Sequence, residues 1–183
     1  MFKYYGCTGE EEKFRYAVDR YAEEGAEFVY RSILIEVPSP RVFPWITQLR
    51  YAPYSYDLID NWGRESPRYL ITDAPPLKVG DSVMRWFELI DFKQNEYIVF
   101  TLLKDPPFYL KLLFYPFVKS FYITYQLFPQ KNNNTRLVVK IVVNSYHTVL
   151  HKILCRAAYG LDYIMMRRQL LNFKGLAERA LNP

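Results

Sequence analysis

The chain has 183 residues, enough for one domain with a full-sized core, and half of them are hydrophobic. Its net charge of +5 comes from 24 Lys and Arg scattered among 19 Asp and Glu, which speaks against a concentrated nucleic-acid-binding face. The 17 Tyr, 13 Phe and 3 Trp form an aromatic excess dominated by tyrosine, which suits half-polar cavity walls and interfaces as well as a dry core. The two cysteines, Cys7 and Cys155, speak against a disulfide framework and fit a reducing cytoplasm. No signal peptide is expected, because Lys3 and Tyr4 lead into polar residues. The most apolar window, Pro106 to Val118, is interrupted by Lys111 and by prolines and falls short of the roughly 20 residues that span a bilayer.

In chain order, residues 1–26 read as a helical extension. Thr8 with Glu11 three residues later forms a capping-box pattern, Phe14, Val18 and Tyr21 follow at helical spacing, and Gly25 closes the helix. Residues 27–183 read as the main domain. It opens with a strand from Phe28 to Val37, ended by Pro38. Ser39 is placed as an N-cap for a short helix from Pro40 to Arg50. Ser55 then caps a two-turn helix through Trp62, closed by Gly63, with Leu58, Ile59 and Trp62 on one face and Asp57, Asp60 and Asn61 on the other.

Strands follow: a brief one at Leu70 to Thr72, then Ser82 to Phe92 and Tyr97 to Lys104 around the hairpin-like residues 93–96. Val118 to Phe128 and Thr135 to Ser145 pair around Pro129 to Asn134, whose asparagines tolerate left-handed backbone. Alternation puts Ile123, Tyr125, Leu127, Leu137, Val139, Ile141 and Val143 on an apolar face. Thr124, Gln126, Arg136, Lys140 and Asn144 fall on a face expected to meet water. A last helix is expected from Val149 to Leu181, with Leu150, Leu154, Ala157, Leu161, Ile164 and Leu171 at helical intervals and the small residues Ala157, Ala158 and Gly160 mid-helix. At 1.5 Å per residue it would run roughly 50 Å, long enough to cross a sheet.

Three stretches then carry a family likeness: VPSPRVFPWITQLR after the first strand, SYDLIDNWGRESPR followed by PLKVGDSV, and NNNTRLVVKI followed by DYIMMRRQLLNFKGLAERA. In these the chain resembles the SRPBCC superfamily (START and birch-pollen-allergen-like domains), and within it the polyketide cyclase/dehydrase-like subgroup, over about residues 27–181. The resemblance implies an α+β helix-grip fold, a curved antiparallel sheet around the C-terminal helix with a hydrophobic cavity between them. It also implies a ligand that is a lipid, a polyketide or another apolar compound. The aromatic segment PPFYLKLLFYP, Pro106 to Pro116, departs from that pattern and reads as a lid, a homodimer surface or a peripheral membrane contact.

Several residues are candidates for the site. Tyr54, Tyr56 and Trp62 read either as the cavity entrance, with Arg64 or Arg68 as a polar handle, or as plain anchoring of a short helix on the core by Leu58, Ile59 and Trp62. Trp86, Tyr125 and Tyr159 complete the expected ligand-binding wall. Glu88, two residues from Trp86 on an expected strand, is a candidate general acid or base if it points inward and ordinary surface if outward. His147, His151 and Cys155 stand at i, i+4 and i+8, but three ligands on successive turns of one straight helix diverge from a single centre, so no metal is expected. There is no Gly-rich phosphate loop, no Ser-His-Asp order and no pair of catalytic carboxylates, and no cofactor is expected. The leading expectation is binding of a hydrophobic or aromatic small molecule. The alternatives are a cyclase/dehydrase-like enzyme and a peripheral membrane or interaction protein acting through residues 106–118.

Overall fold

The computed structural model describes residues 3–105, 118–146 and 149–179, and for residues 59–60 and 149–157 the backbone alone. The fold is α+β, a curved seven-stranded sheet packed against a long C-terminal helix, in the helix-grip arrangement. The strands are β1 (Tyr4–Tyr5), β2 (Glu27–Ile35), β3 (Ser82–Val83), β4 (Phe87–Lys93), β5 (Tyr97–Leu102), β6 (Val118–Pro129) and β7 (Thr135–Ser145). Their order is β1-β2-β7-β6-β5-β4-β3. All neighbours are antiparallel except β1, which runs parallel to β2. The helices are α1 (Gly9–Lys13), α2 (Ser39–Thr47), α3 (Asp57–Asp60) and α4 (Val149–Arg179).

The inner face of the sheet follows the expected alternation. Val29, Ile35, Leu89, Phe100, Ile123, Tyr125, Leu127, Leu137, Val139, Ile141 and Val143 form one core with α2 and α4. On α4, however, the buried apolar residues among those described are Tyr159, Met166, Leu170, Phe173, Leu176 and Ala177. Leu161, Ile164 and Leu171 of the expected stripe are exposed. Apolar residues line more than one face of this helix, so spacing alone does not decide which face docks. Gly160 is not needed for close packing, since a Cβ there would meet no atom within 4 Å.

The outer face does not meet water, contrary to the sequence-based expectation. Lys140 and Asn144 are buried, as are Val99, Val138 and Val142 beside them. Residues 14–26 cover them, and with Tyr16, Val18 and Tyr30 they form a second apolar cluster. The single N-terminal helix expected there is broken up. α1 keeps its capping box, with Thr8 accepting from Glu11 N–H at 3.3 Å. The chain then turns extended at Phe14, and a 3-10 turn spans Ala17–Tyr21. The break lets both Tyr16 and Val18 reach the sheet, which a continuous short helix would not. Lys140 is paired with Asp19, and its ammonium lies 4.9, 4.8 and 5.2 Å from the ring centres of Tyr16, Phe28 and Tyr30. Gly6 has φ +68° at the end of β1, where a Cβ would stand 2.7 Å from the Ser32 carbonyl oxygen, so no other residue would allow β1 to join β2 in this way.

Several local expectations change. α2 begins at Ser39 with Pro38 as its N-cap, and a 3-10 turn at Gln48–Arg50 follows it. The expected strand at Leu70 to Thr72 does not form, because the segment's polar backbone is held by Gln48 instead. The expected strand Ser82 to Phe92 is folded into a tight β3–β4 hairpin, with Met84 at φ +47° and Arg85 at φ +64°. Neither position carries the Gly or Asn that would have signalled it. No helix among the described residues is long and apolar enough to cross a membrane.

Candidate functional site

α3 is a single turn rather than the expected two-turn helix, and its polarity is the reverse of a packed helix. Leu58 is 84 % and Trp62 70 % exposed, so neither anchors α3 on the core. Asp57, expected on a solvated face, turns inward and accepts from Ser66 N–H at 3.0 Å and from the Ser66 hydroxyl at 2.5 Å. Asp57 also receives at its carbonyl the Asn61 and Gly63 N–H groups, at 3.2 and 2.7 Å, and the chain leaves through Trp62 at φ +55° and Gly63 at φ +76°. Gly63 suits that left-handed exit and Trp62 is strained by it. The side chains of Ile59 and Asp60 lie outside the described residues.

The loop leading into α3 is fixed at several points. Tyr54 has φ +56°, an uncommon conformation for a bulky residue, and four contacts hold it there. Its N–H donates to Ser66 Oγ (3.3 Å), its carbonyl accepts from Asn172 Nδ2 (2.8 Å), its hydroxyl accepts from Gln48 Nε2 (2.6 Å), and its ring packs on Phe173 at 5.4 Å between centroids. Burial pushes the Tyr54 hydroxyl up to about 12. Gln48 also donates to the Tyr69 carbonyl and accepts from Ile71 N–H. One buried amide therefore docks residues 54 to 71 onto the end of α2.

Between this loop and the end of α4 lies an open cleft of about 370 Å³. Tyr54, Ser55, Tyr56, Asp57, Ser66 and Arg68 contribute to the loop wall. The helix wall is Arg168, Leu171, Asn172, Gly175, Leu176 and Arg179, residues spaced by three or four and so on one face of α4. Tyr54, Tyr56 and Arg68 are thus brought together. Trp62 and Arg64 are exposed and stand apart from these walls.

The remaining candidates lie elsewhere. Tyr125 is fully buried under α4, where its hydroxyl donates to Gln169 Oε1 at 2.5 Å, and Gln169 in turn donates to the Pro53 carbonyl. Burial drives the Tyr125 hydroxyl far above its usual range. Tyr159 donates to Glu27 Oε2 at 3.0 Å, on the side of α4 facing Lys3 and β2. Trp86 is half-buried and sits in the β3–β4 turn rather than on a strand beside Glu88. Its carbonyl accepts from Leu103 N–H at 2.9 Å. Glu88 stands between Phe87 and Leu89, both part of the inner core, and therefore on the outer side. His147 and the side chains of His151 and Cys155 lie outside the described residues, as do residues 106–117.

A buried arginine and its half-buried partner escaped the sequence reading. Arg31 points from β2 toward α4, is fully buried, and pairs with Asp162 at 2.7 Å. Burial raises the Asp162 carboxyl to about 6, with Arg31 pulling in the opposite direction. The helix wall of the cleft was also missed, though Arg168, Asn172, Gly175 and Arg179 at i, i+4, i+7 and i+11 form a polar stripe that was there to be read.

No family model and no curated protein matches the chain. Solved structures do. TTHA0849 from Thermus thermophilus is 16% identical over 84% of this chain and 99% of its own, with a TM-score of 0.51. The Zhui aromatase/cyclase from Streptomyces sp. R1128 is 12% identical over 86% of this chain and 96% of its own, with a TM-score of 0.50. At such identities the likeness is one of fold alone.

Proposed function

We propose that the chain is a helix-grip protein of the SRPBCC type that binds a hydrophobic or aromatic small molecule between the sheet and α4. The observation that carries this reading is the pairing of Tyr125 with Gln169 among the apolar side chains that the sheet and α4 pack together. A few fixed polar groups in an apolar wall are what orient a small ligand. The shared fold with a protein named as an aromatase/cyclase supports the same class of ligand, an aromatic polyketide or similar compound. A place in the reducing cytoplasm belongs to this proposal, consistent with the free thiol of Cys7.

A thermal-shift screen of polyketides, flavonoids and lipids, with native mass spectrometry of the purified protein, tests it. A specific ligand at 100 times its Kd stabilises the fold by about 2.7 kcal/mol, and Tyr125→Phe should reduce that shift. If no compound shifts the melting and none copurifies, the reading fails.

A second reading, a cyclase/dehydrase-like enzyme, draws on Asp162. A carboxyl held at about 6 beside a buried guanidinium can take up and release a proton near neutral pH. Were it so, Asp162→Asn would abolish turnover of a bound polyketide and leave its binding intact.

A further inference from the structure

We propose that the cleft between residues 54–68 and the end of α4 binds an oxyanion, a phosphate or carboxylate group carried on a small apolar body. This site is separate from the ligand site proposed between the sheet and α4 and does not depend on binding there. Three arginines line it. Arg168 and Arg179 lie three helical turns apart on one face of α4, and Arg68 comes from the opposite wall. None of the three has an ion-pair or hydrogen-bond partner among the described residues, whereas Arg20, Arg31, Arg50 and Arg136 are each paired with a carboxylate.

Asp57, the one acid in the walls among the described residues, has both carboxylate oxygens engaged by Ser66 and sets a single negative charge against the three arginines. The walls therefore keep a surplus of fixed positive charge. Guanidinium groups recognise phosphate and carboxylate through paired, charge-assisted hydrogen bonds. A second observation points the same way. Ser55, also in the wall, is more than nine-tenths buried, and its hydroxyl has no hydrogen-bond partner, a costly state for a polar group that a bound acceptor would relieve.

Leu58 and Leu171 are exposed at the cleft and offer apolar surface for the body of the ligand. Gly175 keeps the helix wall low, since a Cβ there would meet no atom within 4 Å.

Titration of the full chain with phenyl phosphate, benzoate and inorganic phosphate at low ionic strength, followed by calorimetry and by amide NMR shifts, tests the proposal. Phenyl phosphate or benzoate should saturate, with the largest shifts at Ser55, Ser66, Asn172 and Gly175. The preference between the two assigns phosphate or carboxylate as the group. Arg68→Gln and Arg168→Gln should each weaken binding about tenfold. Arg167→Gln, which removes the same charge one residue outside the walls, should change it less than about twofold. Gly175→Leu should also block binding, although it removes no charge and favours the helix; Gly175→Ala serves if the larger residue disturbs folding. Saturation by none of the three probes, binding of inorganic phosphate as tight as phenyl phosphate, or equal weakening by Arg167→Gln overturns the proposal.

Discussion

The two faces of the sheet are covered by different kinds of chain. On the inner face the long regular helix α4, with α2 beside it, docks apolar side chains on an apolar sheet, and the charged contacts are few, with Arg31 and Asp162 the deepest. On the outer face an irregular strap lies over a mixture of valines, rings and charges. It is tied down residue by residue: Asp19 to Lys140, Glu11 to Arg136 at 2.6 Å, Arg20 to Asp91 at 2.5 Å, and Glu23 to Lys119 at 3.2 Å. The contrast explains the tyrosine excess. Rings such as Tyr16, Tyr21, Tyr30 and Tyr122 serve a layer that is apolar in bulk and still houses a lysine, as the 4.7 Å stacking of Tyr21 on Tyr122 illustrates. It also sets apart the three arginines of the cleft, which have no partner among the described residues, from Arg20 and Arg136 of the outer face, each paired with a carboxylate.

If the strap is a structural layer, its removal should have the largest effect. Deleting residues 1–26 would bare Val99, Val138 and Val142 and leave Lys140 without Asp19. Each apolar side chain so exposed costs on the order of 1.5–3 kcal/mol, together comparable with the whole stability of a domain. The truncated chain should be insoluble or lack a cooperative melt by circular dichroism. A truncated protein melting within a few degrees of the parent would show that the outer face tolerates water after all.

A smaller effect is expected from the inner pair. Arg31→Met leaves the Asp162 carboxyl at the sheet–helix contact without its counter-charge and should cost about 3 kcal/mol in urea denaturation at pH 7. Arg31→Met with Asp162→Leu should restore most of that. The pH dependence has a definite sign. Because the folded chain holds the Asp162 carboxyl at about 6, above its ordinary 3.8, this group favours folding when protonated. Its contribution is complete below about pH 4 and is lost as the pH rises through 6, at up to about 1.4 kcal/mol per pH unit. Urea midpoints of the parent between pH 4 and 6 should carry that downward slope, and the double variant should lack it. An identical slope in both proteins would clear Asp162.

The smallest effect belongs to the loop. Leu58→Ser and Trp62→Ser should each change stability by less than about 0.5 kcal/mol, as for exposed positions. A loss of about 2 kcal/mol in either, the scale of a buried apolar side chain, would restore the reading in which they anchor α3 on the core.

Much of this architecture was legible from local pattern. Strand alternation around Tyr125 and Val139, the Asn-rich turn, the Thr8 capping box and the long proline-free terminal stretch all depend on neighbours a few residues away, where period and propensity act directly. Tyr54, Tyr56 and Arg68 could likewise be singled out as a cluster of rings and charge. Which of them share a cleft could not, because its other wall lies about a hundred residues further on, along α4. The same limit applies to Lys140 and Asp57. Alternation puts Lys140 opposite the core, and helical spacing puts Asp57 on a polar face, so both read as solvated. Only the return of the N-terminal strap buried the one, and only the closure of Ser66 turned the other inward. Period 2 and period 3.6 determine which side chains share a face; what lies against that face is set by contacts between distant segments, and there the tertiary structure alone decided.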